Sequence, residues 1–284
     1  MQSFEYNFLY GKDPYRKYKE ARSIAKKEVL QARFLKRDPY LPSLENDMKG
    51  YRYSFAERPF FIGYLEPERI RGTVDSGRRY CFSYNFMPLQ GNYTGDFISK
   101  WIKLYNTQAE WLPSSNRIEL FEFLRRFYVK EGNKRTSIAR FAGIRVLNVQ
   151  ITRILPEPDS SDPAVEAYYE YLDFESRTGI STIWFSQPGG FEALEKLIDK
   201  HLPKDKNRYE FFLKTMYSDF YDHLRPGKLN EVAPGDVFLK YMKLIPGLNV
   251  SSKQMRQCIK KAVTSVANGK NQKKRDNLRN VIRK

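Results

Sequence analysis

Phe127-Tyr128-Val129-Lys130-Glu131-Gly132-Asn133-Lys134-Arg135-Thr136-Ser137-Ile138-Ala139-Arg140-Phe141-Ala142-Gly143 is the stretch that decides how this chain folds. An aromatic and β-branched run, Phe127 to Val129, predicts a short strand, and Lys130 to Lys134 predicts a tight polar turn. Arg135 to Ala142 then reads as a helix with Gly143 as its stop, and Val146 to Leu155 as a second strand. Ile138, Phe141 and Ala142 fall at i, i+3 and i+4, which predicts one buried helix face and leaves Arg135 and Arg140 to point elsewhere. The unit is strand, turn, helix, strand, and it places the chain in the α/β (α+β) class.

The turn has its own chemistry. A helix that starts directly after a glycine turn offers backbone N–H groups and the positive end of its dipole to an anion. Gly132 lets backbone approach a ligand, Asn133 tolerates a left-handed turn, Lys134 and Arg135 add two cations, and Thr136 and Ser137 add hydroxyls. These six residues are the candidate phosphate- or nucleotide-binding group, with Glu131 as the candidate catalytic residue, a base or a metal ligand. Read structurally instead, Glu131 to Arg135 is a solvated turn whose ions pair with one another.

Upstream, residues 12–37 read as a helix opened by Asp13 as N-cap and Pro14, with Tyr18, Ala21, Ala25, Val29 and Ala32 at helical spacing. Pro59 to Leu65 suits a buried strand. Arg71 to Arg79, with two glycines and the Arg78-Arg79 pair, reads either as a loop beside a ligand, which would bring both arginines to the phosphate site, or as a surface turn. Helices are expected at about 95–106 and 115–127, the second capped by Ser114 or Ser115 and carrying Ile118, Leu120, Phe121, Phe123 and Leu124.

Downstream, Pro156, Pro158 and Pro163 mark the clearest break. Helices are expected at 164–176, 190–201, 206–223, 234–245 and 252–267, with a strand-like run Ile180 to Phe185. The expected division is an N-terminal helix and connection (1–56), an α/β core (57–156), a mainly helical region (157–250) and a basic helical tail (251–284).

Composition narrows the partners. Lys plus Arg number 50 against 33 Asp plus Glu, a net charge of +17 and a pI near 9.7, which favours nucleic acid or a nucleotide. Mean hydropathy is −0.66 and no apolar run reaches the length of a membrane span. Met1 to Glu5 lacks the pattern of a secretory signal, so a cytoplasmic location is expected. Cys81 and Cys258 form no CxxC pair, and His201 and His223 are the only histidines, so neither a disulfide framework nor a zinc site is predicted.

The segment from Phe127 to Gly143, extended by the strand to Leu155, resembles the strand-turn-helix signature of the ParB/sulfiredoxin superfamily. That resemblance implies a ParB/sulfiredoxin-like core whose Gly-x-x-Arg turn, here Gly132 to Arg135, contacts nucleotide phosphates. A nucleoside triphosphate with Mg is the cofactor it implies. Members include DNA-partition proteins, sulfiredoxins, a serine kinase and nuclease-like proteins. Asn133 stands where ParB proteins carry the acidic residue tied to nucleotide hydrolysis, and the sulfiredoxin cysteine would fall at or beside it. The likeness to uncharacterised Clostridia-type ParB-like proteins extends over Arg71-Gly72-Thr73, Asn85 to Leu89, Tyr169 to Phe174, Ile183 to Ser186 and Gly235 to Leu239. Glu131 to Thr136 is also similar to the active-site motif of Fic/Doc enzymes, but Phe127 stands where that family has its catalytic histidine.

From Ser251 to Lys284 there are 11 basic residues against Asp276 alone. Met255, Cys258, Ile259, Ala262, Val263 and Val266 share one helical face, Asn268-Gly269 is expected to end that helix, and a second short basic segment follows. Lys253, Arg256, Lys260, Lys261, Lys273, Lys274, Arg275 and Arg279 are the candidate nucleic-acid contacts, unless the tail is simply solvated. These features together predict a nucleic-acid-associated protein, with DNA the expected partner and a bacterial setting. A nucleotide-dependent phosphotransferase or nuclease is the alternative.

Overall fold

Among the described residues six strands form one mixed sheet in the first part of the chain, and helices make up the second, an α/β fold. The structure is a computed structural model and describes residues 15–57, 59–91, 96–108, 117–205, 207–224, 232–245 and 251–282, the last without side chains from 270 onward. Two units divide at Glu157/Pro158.

In the first unit α1 (Arg16–Phe34) and the short α2 (Leu44–Asp47) precede β1 (Tyr53–Phe55), β2 (Phe61–Leu65) and β3 (Ile70–Thr73). Asp13 and Pro14, expected to open α1, lie outside the described residues. Tyr18, Ala21, Ala25 and Ala32 are its buried residues, a narrow stripe of mostly small side chains that permits close packing. Then follow α3 (Asp96–Gln108), β4 (Ile118–Phe123), β5 (Arg126–Glu131), α4 (Asn133–Ala142) and β6 (Leu147–Pro156). The strand order is β1-β6-β4-β5-β3, with β2 also on β6; β4 is parallel to β6 and antiparallel to β5.

Residues 118–123 are therefore a strand where a helix was expected. Ile118, Leu120, Phe127, Val129, Val149 and Ile151 share one core with Trp101 and Ile138. Glu122, fully buried, accepts from Arg153 Nε at 3.0 Å and from the Arg125 amide at 2.7 Å. Leu124 and Arg125 both have positive φ, 49° and 63°, the backbone that a two-residue hairpin demands. The Ser114 and Ser115 caps lie outside the described residues.

Arg71-Gly72-Thr73 is likewise strand rather than loop. A Cβ on Gly72 would sit 2.0 Å from the Pro42 carbonyl oxygen, and Thr73 N donates to that oxygen at 3.1 Å, so glycine permits the contact.

In the second unit α5 (Pro163–Thr178) and α6 (Gly190–His201) lie where the sequence places helices. The expected helix over 206–223 is α7 (Arg208–Phe212) and α8 (Ser218–His223), joined by a π turn at Leu213–Tyr217. Ile180 to Phe185 is not a strand: Ile183, Trp184 and Phe185 are buried by packing, Trp184 O accepts from the Gly235 amide, and Thr182 O accepts from the Tyr217 hydroxyl. These bonds satisfy two of its carbonyls without a sheet. After α9 (Pro234–Met242), α10 runs unbroken over Ser252–Ile282, passing the expected stop at Asn268-Gly269. One glycine inside a helix costs only about 1 kcal/mol, too little to end a long one. No helix among the described residues is long and apolar enough to cross a membrane.

Candidate functional site

The chain reverses from β5 into α4 at Gly132, whose φ is +112°. A Cβ there would meet Ile118 side-chain carbons at 3.0 and 3.1 Å, so the turn is restricted to glycine by backbone and by space. The first helical hydrogen bond runs from Thr136 N to Gly132 O, 2.9 Å. The amides of Asn133, Lys134 and Arg135 thus precede the first amide that donates within the helix.

These residues line a cleft of about 410 Å³ together with Arg78, Lys100, Lys103, Leu104, Glu131 and Gly132. α3 is held against α4 by Trp101, which stacks on Tyr105, touches Phe141 and donates from Nε1 to Ser137 Oγ at 3.0 Å. That packing fixes Lys100 and Lys103 opposite the helix start. Neither lysine was singled out in the sequence, although their i, i+3 spacing beside Trp101 places them on adjoining turns of one face.

Two cations of the cleft are shifted toward neutrality, chiefly by burial. Lys134 stands 4.9 Å from the Phe97 ring centroid, and burial, then repulsion from Lys100 and Arg78, lowers its pKa, with only Asp96 and Cys81 opposing. Burial also lowers Arg135, against the pull of Glu131 and Glu119. Arg78 pairs with Asp75 at 3.3 Å and Lys100 with Asp96 at 2.5 Å. Asn133 is 7% exposed, and neither Nδ2 nor Oδ1 of its buried amide has a hydrogen-bond partner among the described residues. Leaving such atoms unpaired costs about 1–3 kcal/mol each, so an unbonded amide at a cationic cleft is a ligand-binding signal.

Three candidate ligands lie elsewhere. Thr136 and Ser137 are fully buried; the Thr136 hydroxyl donates back to Gly132 O at 3.2 Å and Ser137 Oγ takes the Trp101 bond. Arg79 donates to Leu41 O at 2.7 Å and to Asp38, and covers the Tyr80 ring. It braces the connection after α1, while its neighbour Arg78 faces the cleft.

Arg140 does not point to solvent either. Its guanidinium donates to Pro67 O (3.2 and 3.0 Å), Ile70 O (2.5 Å) and Asn85 Oδ1 (2.6 Å), and burial lowers its pKa to about 10. Of the face predicted to be buried, Ile138 is, Phe141 is half-buried and Ala142 is exposed.

On α10, Ile259 and Ala262 are buried and Met255, Cys258, Val263 and Val266 half-buried, while Lys253, Arg256, Lys260 and Lys261 are exposed. The side chains of Lys273, Lys274, Arg275 and Arg279 lie outside the described residues. Among the described residues no group of three or more His, Cys, Asp or Glu could hold a metal ion. No family model matches the chain, and neither a curated protein nor a solved structure does.

Proposed function

We propose that this protein associates with nucleic acid, DNA being the expected partner, through the exposed cations of α10, and that the cleft at the start of α4 takes the phosphates of a nucleotide. A ParB/sulfiredoxin-like core working in the bacterial cytoplasm is part of the same reading. The observation that carries it is the convergence of Arg78, Lys100, Lys103, Lys134 and Arg135 with the unbonded Asn133 amide at a glycine-started helix. Of the lining residues Glu131 alone carries a carboxylate, so a Mg ion accompanying a nucleoside triphosphate would draw most of its oxygens from phosphate and water.

Glu131 also favours a second reading, a nucleotide-dependent phosphotransferase or nuclease in which it acts as base or metal ligand beside the cations. A Fic-type transfer lacks its base, because Phe127 is a buried core residue.

Binding of a fluorescent nucleotide and of labelled duplex DNA to the full chain tests the proposal. Lys134→Ala with Arg135→Ala is expected to abolish nucleotide binding and to keep most DNA affinity. Nucleotide binding unchanged in that double variant sinks the cleft assignment.

A further inference from the structure

We propose that α10 reads DNA sequence: the stripe Gln257, Lys260, Lys261, Thr264, Ser265 and Asn268 enters the major groove of duplex DNA and contacts base edges. This rests on the reading of α10 as the nucleic-acid-binding element and adds base recognition to it.

The stripe follows i, i+3, i+4, i+7, i+8 and i+11, and all six side chains are exposed. It lies opposite Ile259 and Ala262, the buried residues that seat the helix on α8 and α9. Cys258 adds a contact from Sγ to Leu244 O, 3.7 Å. The helix is thus held along one side and open along the other over about 16 Å, the rise of eleven residues.

The chemistry of the open side selects its occupant. Between Ser252 and Arg275 the helix carries no carboxylate, and Lys253 and Arg256, also exposed, extend the positive charge beside the stripe. A polyanion complements such a face. A membrane surface would require exposed apolar anchors, which the stripe lacks. A single strand would require aromatic platforms, which it lacks too, and duplex RNA hides its bases in a groove that a helix cannot enter.

What the stripe holds is the set that reads a major groove: amides for adenine, lysines for guanine, hydroxyls for either. Gln257 and Asn268 make no hydrogen bond among the described residues, so both amides are open to a base, whereas the Thr264 hydroxyl is donated to Lys260 O at 3.0 Å. About 16 Å of helix covers roughly five base-pair steps of about 3.4 Å.

Selection of bound duplexes from a random-sequence pool by the full chain tests this. The expected result is an enriched motif of about five base pairs, with guanine N7 inside it protected from methylation. Gln257→Ala and Asn268→Ala should each cut the preference for the selected over a scrambled duplex about tenfold and leave affinity for the scrambled duplex unchanged. Lys253→Ala with Arg256→Ala should weaken both duplexes alike. Salt-dependent duplex binding without any enriched motif, or a motif that survives both amide substitutions, overturns base reading and leaves nucleic-acid association standing. Absence of binding to every nucleic acid at low salt overturns that association itself.

Discussion

The cleft at the start of α4 and the outer face of α10 both concentrate positive charge, but they do so in opposite ways. In the cleft five cations come from three separate segments, and Lys134 and Arg135 are partly desolvated and shifted toward neutrality. On α10 Lys253, Arg256, Lys260 and Lys261 come from one helix and stand in solvent. Charge gathered by tertiary structure is positioned and costly to hold, which suits a small, compact anion. Charge strung along an exposed helix costs little and suits an extended one. The two proposed ligands, a compact one for the cleft and an extended one for the helix, follow that difference.

Salt separates the two most sharply. If about six cations of the helical tail neutralise phosphates, DNA affinity should fall about 10³-fold between 50 and 200 mM salt, while nucleotide affinity for the partly buried cleft changes far less. Anisotropy titrations across that range measure both, and equal slopes would erase the distinction.

A difference within α4 sharpens the comparison. Arg140 is wholly committed to Pro67, Ile70 and Asn85, whereas Lys134 faces the cleft. Arg140→Met should destabilise the fold by about 3 kcal/mol, because it strips buried carbonyls of a charged donor. Lys134→Met should leave the denaturation midpoint unchanged or slightly raised. Urea unfolding of the two variants is the check.

The smallest effect is in pH. The pKa of Lys134 is lowered from 10.5 in the folded chain, so between the lowered value and 10.5 the unfolded chain binds more protons. Its contribution therefore makes stability rise with pH across that window. Affinity for an anion runs the other way, falling as Lys134 loses its proton. A nucleotide titration upward from pH 7 should show affinity falling as Lys134 deprotonates, a fall absent in Lys134→Met.

Where neighbours in sequence fix the outcome, the chain was readable. The β5-turn-α4-β6 unit is set by apolar period, Gly132 and Gly143, all local, and the apolar face of α10 follows from spacing alone. Residues 118–123 are ambiguous in sequence because Ile-Glu-Leu-Phe-Glu-Phe supports either period, and the partner of Glu122, Arg153, lies 31 residues away. Arg78 and Arg79 are indistinguishable in sequence; Asp38, distant in the chain, claims one and leaves the other to the cleft. Lys100 and Lys103 entered the site only through the packing of α3 on α4.

Strand β6 is the shared partner of β1, β2 and β4, and it is the last strand of its unit to be synthesised. At about 5–20 residues per second a ribosome needs several seconds to travel from β1 to residue 156. Until then β1 and β2 have no mate and β4 has only β5. The edges of β1 and β2 that β6 will pair are what the nascent chain must keep from sticking to its neighbours during that wait. Slowing translation just upstream of β6 should therefore increase aggregation during synthesis more than slowing it just after Glu157.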